Sequence, residues 1–358
     1  MGRVRSRARR RKYLILSLLT NLGLLFSFKY FNFVNRSLRA GLGALGLALD
    51  LPELDVLLPV GISFYTFQTL SYTIEVYRGR CEPEKHPGIF ALYVSFFPQL
   101  VAGPIERAGN LLPQLHVRQR FDYARVTEGL RLMAWGMFKK VAIADRLALV
   151  VDKVYGNPAG FEGVHLALAT VFFAFQIYCD FSGYSDIAIG AARVMGVRLM
   201  RNFDRPYLAT SVADFWRRWH ISLTTWFRDY LYIPLGGSRV GRRRWCFNVA
   251  AVFLISGMWH GAKWTFLLWG ALHGTFFLLE RATRGLRAKL AAAAPLASRP
   301  RLRRAAGLAV TFLAVTFAWI FFRAESVSDA FHIVGHLGSG WQSLLGAGGL
   351  RNAMEALD

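Results

Sequence analysis

Apolar residues in this chain gather into long runs separated by short basic connectors, a pattern that predicts helices of membrane length. A helix needs about 20 apolar residues to cross a hydrocarbon core. Tyr13 to Val34 meets that length, and the Gly-rich stretch from Ala40 to Leu49 either extends or breaks it. Leu57 to Tyr77 qualifies next, closed by Arg78 and Arg80. Gly88 to Pro104 is shorter, and Pro98 with the Gly103-Pro104 pair predicts a re-entrant or broken helix packed inside protein. Val126 to Val151 carries Arg131, Lys139, Lys140 and Arg146, which are costly in lipid. Val164 to Met195 is long enough to span with tilt, although it holds Asp180 and Asp186. Asp214 to Leu235 is amphipathic, Trp245 to His260 and Trp264 to Leu279 form a pair, and Ala305 to Phe322 is the last clear span. The pattern predicts an all-α fold, a polytopic transmembrane bundle of seven to nine segments with re-entrant or interfacial pieces.

Composition supports this class. The 358 residues are 54% apolar and 15% aromatic, which a soluble two-domain protein of this length would not be. A net charge of +22 could suggest nucleic acid. The basic residues instead cluster beside apolar segments without a nucleic-acid motif, as cytoplasmic connectors facing anionic lipid do. The lipid bilayer is therefore the expected partner, and no nucleic acid is. Cys81, Cys179 and Cys246 are too few and too scattered for a disulfide framework or a zinc site, so no metal is expected. The Arg-rich start leads into an apolar stretch without a small-residue cleavage site, which reads as a retained anchor. The expected organisation is a basic cytoplasmic N-terminus over 1–12, a membrane domain over 13–330, and a polar tail over 331–358.

Two histidines stand out because their ring nitrogens need partners where little water is available. Arg242, Arg243 and Arg244 precede the paired segments and Arg281, Arg284 and Arg287 follow them, so positive-inside bias places both outer ends in the cytoplasm. His260 then lies near the far end of a helical hairpin. From Trp245 to His260 is 15 residues, about 22 Å at about 1.5 Å each, past the midplane of a core about 30 Å thick. The plain alternative is a histidine capping the turn. His220 falls on a helix expected from Asp214, with Phe215, Trp219, Leu223, Trp226 and Tyr230 on an aromatic side. Arg217, His220, Thr224 and Arg228 share a basic, polar face, so the plain alternative there is an interfacial anchor.

Longer blocks carry more. Leu58 to Arg78 reads LPVGISFYTFQTLSYTIEVYR, Tyr93 to Pro104 reads YVSFFPQLVAGP, and Gln176 to Ile189 reads QIYCDFSGYSDIAI. Arg201 to Gly237 reads RNFDRPYLATSVADFWRRWHISLTTWFRDYLYIPLGG, Ser256 to Gly274 reads SGMWHGAKWTFLLWGALHG, and Ala318 to Ala324 reads AWIFFRA. Over Leu14 to Ala330 the chain resembles the membrane-bound O-acyltransferases, in particular the bacterial branch of alginate O-acetyltransferases. The resemblance implies a catalytic histidine at His260 of WHG and a companion at His220. It also implies a central funnel, a cytoplasmic thioester donor such as acetyl-CoA, a polysaccharide acceptor and a periplasmic acetyltransferase partner in the exopolysaccharide machinery of a bacterial inner membrane. Relatives carry further apolar helices beyond both matching ends, so outer helices are expected to be missing here.

Residue chemistry suits this reading. Acyl transfer to a hydroxyl needs a base, which a neutral imidazole supplies. No GxSxG, SxxK or HExxH motif supports a covalent route, which leaves Ser182, Ser185 and Ser256 as the alternative nucleophiles. Arg217, Arg218 and Arg228 are candidates for donor phosphates, although lipid headgroups attract guanidinium equally. Asp180 and Asp186 should pair with Arg or with hydroxyls such as Tyr184 and Ser182. His273 is expected to be structural, near the cytoplasmic end of its helix, and His86, His116, His332 and His336 carry no signal. D-alanyl transfer and peptidoglycan O-acylation are competing chemistries. A transporter using His220, His260 and the aspartates as a relay, or an inactive scaffold of a polysaccharide export complex, are rivals of other classes.

Overall fold

The computed structural model describes residues 7–48, 52–293 and 299–341, and among them every regular element is helical. The chain divides into two compact units, one from Met1–Ala134 and Ser185–Arg201, the other from Trp135–Tyr184 and Asn202–Asp358. Residues 1–6 of the expected basic N-terminus lie outside the described residues.

In the first unit, α1 (Arg7–Leu25) passes through a π-helical turn, Phe26–Tyr30, into α2 (Phe31–Gly43), so the Gly-rich stretch extends the helix before ending it. The next helix, α3 (Ile62–Arg78), starts later than the apolar run does. Residues 52–59 are irregular instead, because α2 takes up their polar groups. The Asn32 side chain exchanges two 2.9 Å hydrogen bonds with the Leu54 backbone, and the Arg36 guanidinium donates to Glu53. A polar seam joins α1 to α3: Arg10 donates to the Val76 and Tyr77 carbonyls at 3.1 and 2.8 Å, at the helix end whose dipole favours a cation. Ser17 meets Thr73 at 3.3 Å and Thr69 donates to Asn21 at 2.8 Å.

The Gly88 to Pro104 run is broken, as its prolines require: α4 (Pro87–Ser95) stops at Phe96, with ψ 100°, before the single turn α5 (Phe97–Leu100). After α6 (Ala108–Leu115), α7 (Tyr123–Met137) runs through a second π-helical stretch, Phe138–Ala144, into α8 (Asp145–Gly156). The following helix, α9 (Gly163–Val194), is 32 residues long. Within the first unit α7 and α9 touch backbone to backbone, since a Cβ added at Gly129 or Gly190 would strike the other residue's carbonyl oxygen.

The second unit adds α10 (Val212–Arg218), α11 (Ile221–Phe227), α12 (Arg242–His260), α13 (Trp264–Ala282), α14 (Arg284–Ala293), α15 (Pro300–Arg323) and α16 (Val327–His336). Its core is aromatic, with Tyr155, Phe173, Phe215, Trp219, Trp269 and Trp319 buried together. Two of its polar ring ends form a chain: Trp319 Nε1 donates to Tyr207 Oη at 3.2 Å, and Tyr207 donates to the Ala174 carbonyl at 2.6 Å, whereas Trp216 Nε1 and Trp269 Nε1 are buried without a hydrogen-bond partner. The expected hairpin is present as α12 and α13. Gly257 and Gly270 lie against the Phe266 and Phe253 carbonyls, which fixes a close crossing. Ala330 and Ile333 of α16 are fully buried in this core while Phe331, Gly335 and His336 of the same helix are exposed, and 342–358 lie outside the described residues.

Among the described residues, three helical stretches are long and apolar enough to cross a membrane: Ala8–Gly43, Gly163–Val194 and Pro300–Arg323. The other runs counted among seven to nine segments are shorter as helices, interrupted by breaks, or laden with charge. Asp180 pairs with neither Arg nor a hydroxyl: its carboxylate meets Lys140 at 2.7 Å, and the same ammonium meets Asp145 at 2.7 Å. The Ser182 hydroxyl accepts instead from buried Lys139 at 2.9 Å.

Candidate active site

The helix expected over Asp214 to Leu235 is three pieces: α10, α11 and a π-helical turn, Arg228–Tyr232. Two backbone bonds cause the break. The Asp204 N–H donates to the Arg218 carbonyl and the Ile221 N–H to the Asn202 carbonyl, both at 2.9 Å. With 202–204 bound across residues 218–221, Trp219 turns extended and His220 takes φ 43°, ψ 55°, the left-handed region that few residues other than glycine adopt. The two stripes drawn through a continuous helix therefore do not exist. His220 lies on no polar face; it is 1% exposed.

The start of α10 is tightly specified. Ser211 caps it by accepting from the Asp214 N–H at 3.0 Å. Glu280 of α13 accepts from the Val212 and Ala213 N–H groups at 2.6 and 3.3 Å, placing a carboxylate at the positive end of the helix. Three amides that lack a partner within the helix are thus satisfied by side chains, and the direction of the segment entering His220 is set by α13.

Around His220 the polar groups converge on one oxygen. Asn202 Oδ1 accepts from the Ser222 hydroxyl at 2.9 Å and from the Ser222 N–H at 3.3 Å, and lies 3.0 Å from His220 Nδ1. Asn202 is 1% exposed and Ser222 fully buried. The other ring nitrogen, Nε2, is buried without a hydrogen-bond partner. Phe181 packs edge-on against the imidazole, ring centres 4.6 Å apart, and Trp259 lies 5.9 Å away on the opposite element.

His260 ends α12 and is half-buried, in edge contact with Trp259, Trp269 and Phe322 at ring separations of 5.0, 5.0 and 5.2 Å. Gly261 follows it, where a Cβ would run into the Phe266 ring, so the turn leaves room for no side chain there. Trp259 thus bridges the two candidate histidines, and His220 lies at the His260 end of α12. His273 stands in the middle of α13 rather than near its end. It is fully buried in a box with Trp216 at 4.9 Å and Trp269 at 5.0 Å, and neither ring nitrogen has a hydrogen-bond partner. The Trp269 ring touches both His260 and His273, its centre 5.0 Å from each.

Each of the three candidate arginines has a partner close to it in the chain. Arg218 meets Asp214 at 3.0 Å, Arg228 meets Asp229 at 2.8 Å, and exposed Arg217 donates to the Ala213 carbonyl of its own helix at 3.2 Å. No cluster of three or more His, Cys, Asp or Glu suited to a metal occurs among the described residues. Asn202 and Glu280 were missed in the sequence. The signal for Asn202 was its place in RNFDRP, an amide opening an aromatic block; for Glu280 it was a carboxylate closing an apolar helix.

The family model of membrane-bound O-acyltransferases matches residues 88–322, and the chain belongs to this family. Among curated proteins it is similar to the probable alginate O-acetylase AlgI of Pseudomonas putida, 41% identical over 335 residues, which cover 92% of this chain and 66% of that protein. The probable alginate O-acetylase AlgI of Pseudomonas aeruginosa is 42% identical over 92% of this chain and 61% of its own length. The peptidoglycan O-acetyltransferase of Helicobacter pylori is 35% identical over 91% of this chain and 64% of its own. The chain spans less than two thirds of the length of each.

Proposed function

We propose that this protein is an O-acyltransferase that transfers acetyl groups from a cytoplasmic thioester, acetyl-CoA, toward a polysaccharide exported through a bacterial inner membrane. The reading rests on two imidazoles, His220 and His260, held on either side of Trp259 in an otherwise aromatic interior. In the reaction the acceptor oxygen forms the new ester C–O bond as the thioester C–S bond breaks. Its proton passes to the neutral imidazole of His260 and from there to the departing thiolate. A positioned base contributes typically 10² to 10⁴-fold, so His260→Ala should lose nearly all transfer while the aromatic packing keeps the chain folded. The similarity to alginate O-acetylases supports acetyl and a polysaccharide as the pair. The multi-pass arrangement, the alginate-like acceptor and a periplasmic acetyltransferase that completes delivery belong to the same proposal. The Helicobacter relative favours peptidoglycan as the second acceptor to try.

The test is base-labile acetate on exported polysaccharide from cells carrying the native chain, His260→Ala at matched membrane abundance, or neither. Acetate present with the first and absent with the second is the expected result. Acetate equal in both overturns the role given to His260.

A further inference from the structure

We propose that Asn202 is a positioning residue that fixes the tautomer of His220, so that Nε2 presents a bare lone pair and binds only a substrate group that brings its own hydrogen. The inference rests on the acyltransferase reading of the site, and it adds both a residue and a direction to it.

One donor beside His220 has a role that is not open to choice. The Ser222 backbone N–H can only donate, and it points at the Asn202 side-chain atom assigned as Oδ1, 3.3 Å away. That contact fixes which end of the amide is the oxygen. An amide oxygen can only accept, so His220 Nδ1 at 3.0 Å must carry a hydrogen. In a neutral ring the second nitrogen is then without one. Nε2 is the atom left buried and unpartnered, in a ring 1% exposed.

The backbone reinforces this. A left-handed residue between α10 and α11 is strained, and the bond from the Ile221 N–H to the Asn202 carbonyl holds it there. The backbone oxygen of Asn202 therefore sets where His220 sits, while its side-chain oxygen sets which nitrogen is protonated. An Nε2 acceptor suits a hydroxyl or a thiol. It is useless to a carbonyl or a developing oxyanion, which need a donor. His220 is thereby assigned to the X–H group of a substrate, and stabilisation of negative charge falls to other groups.

The first arm of the test does not depend on activity. Nitrogen-15 spectra of histidine-labelled full-length protein in lipid nanodiscs at neutral pH, with His220 assigned by its loss in His220→Gln, report the tautomer directly. The expected result is a protonated Nδ1 and a bare Nε2 in the native chain and in Asn202→Asp, which keeps an oxygen in place, but a tautomer mixture in Asn202→Leu. Ser222→Ala, which removes one donor to the same oxygen, keeps the native tautomer and controls for general damage. A hydrogen on Nε2 in the native chain overturns the proposal and leaves the acyltransferase reading standing. The second arm measures base-labile acetate on exported polysaccharide. Asn202→Leu should fall at least 10-fold at matched abundance while Asn202→Asp retains transfer. Full transfer by a folded Asn202→Leu overturns the positioning role. No acetate from the native chain, with the tautomer as expected, overturns the acyltransferase reading and the role in it, while the assignment of Nε2 survives.

Discussion

Replacing Glu280 with Ala should loosen the approach to His220 without touching either histidine. The carboxylate accepts from the Val212 and Ala213 amides at 2.6 and 3.3 Å, and the native α10 has no intrahelical partner for either. A hydrogen bond to a charged group contributes about 1.5–3 kcal/mol. The 3.3 Å contact is long, so the pair together is worth one strong bond and a fraction of another, roughly 2–3 kcal/mol by that scale. A cavity of about 370 Å³ lined by Ser211, Val212 and Glu280 lets water reach the freed amides and pulls the value toward the lower end. For a body of 150–250 residues each kcal/mol moves the melting temperature by roughly 2–4 °C, so Glu280→Ala should melt about 4–10 °C below native. Glu280→Gln, which keeps a neutral acceptor, should lose less than half of that. The assay is the midpoint of thermal loss of the monodisperse peak in detergent. A Glu280→Ala midpoint within about 1 °C of native would refute the capping argument, because no rearrangement of α10 alone can satisfy both amides.

Two further expectations come from the backbone and from a surface loop. At His220 the left-handed conformation costs an ordinary residue about 1–2 kcal/mol, more than the chain entropy glycine loses on folding, up to about 1 kcal/mol. His220→Gly should therefore be at least as thermostable as His220→Ala, the reverse of the usual order in a helix, and a clearly more stable alanine variant would argue against the strained geometry. In the first unit, the His86 N–H at 2.8 Å and then the His116 ring hold the Glu84 carboxylate below its usual range. A lowered folded value means that the contact stabilises the loop above the unfolded value of 4.5 and is lost as pH falls below it. Protease cleavage within residues 79–87 should accelerate below that pH in the native chain and much less so in Glu84→Gln; the same acceleration in both would remove Glu84 from the explanation.

The length and polarity of runs were enough to place α9, α12, α13 and α15 and the break around Phe96, because each is set by local sequence. His260 was legible for the same reason: flanking arginines and segment length put it at a hairpin end, and α12 stops there. His220 was legible as a residue of interest but not as a geometry. Its neighbours have helical spacing throughout, and what breaks the helix is a pair of backbone bonds to Asn202 and Asp204, 14 to 19 residues upstream. No periodicity records such a bond. The same holds for Asp180, whose partner Lys140 lies 40 residues upstream in a π-helical stretch.

The π-helical turn at Phe26–Tyr30 holds, in effect, an insertion that the helix has absorbed. It carries one residue more than an α-turn would, and each residue of an α-helix turns about 100°. Upstream, Arg10, Ser17 and Asn21 reach α3, and downstream Asn32 and Arg36 reach residues 53 and 54. Deleting a single residue there would heal the helix into an unbroken α form while swinging every downstream side chain about a quarter turn away from its partners. The segment should therefore accept many exchanges of residue yet resist a change of length, so a descendant that shortens it must also rebuild the 52–59 stretch that those side chains hold.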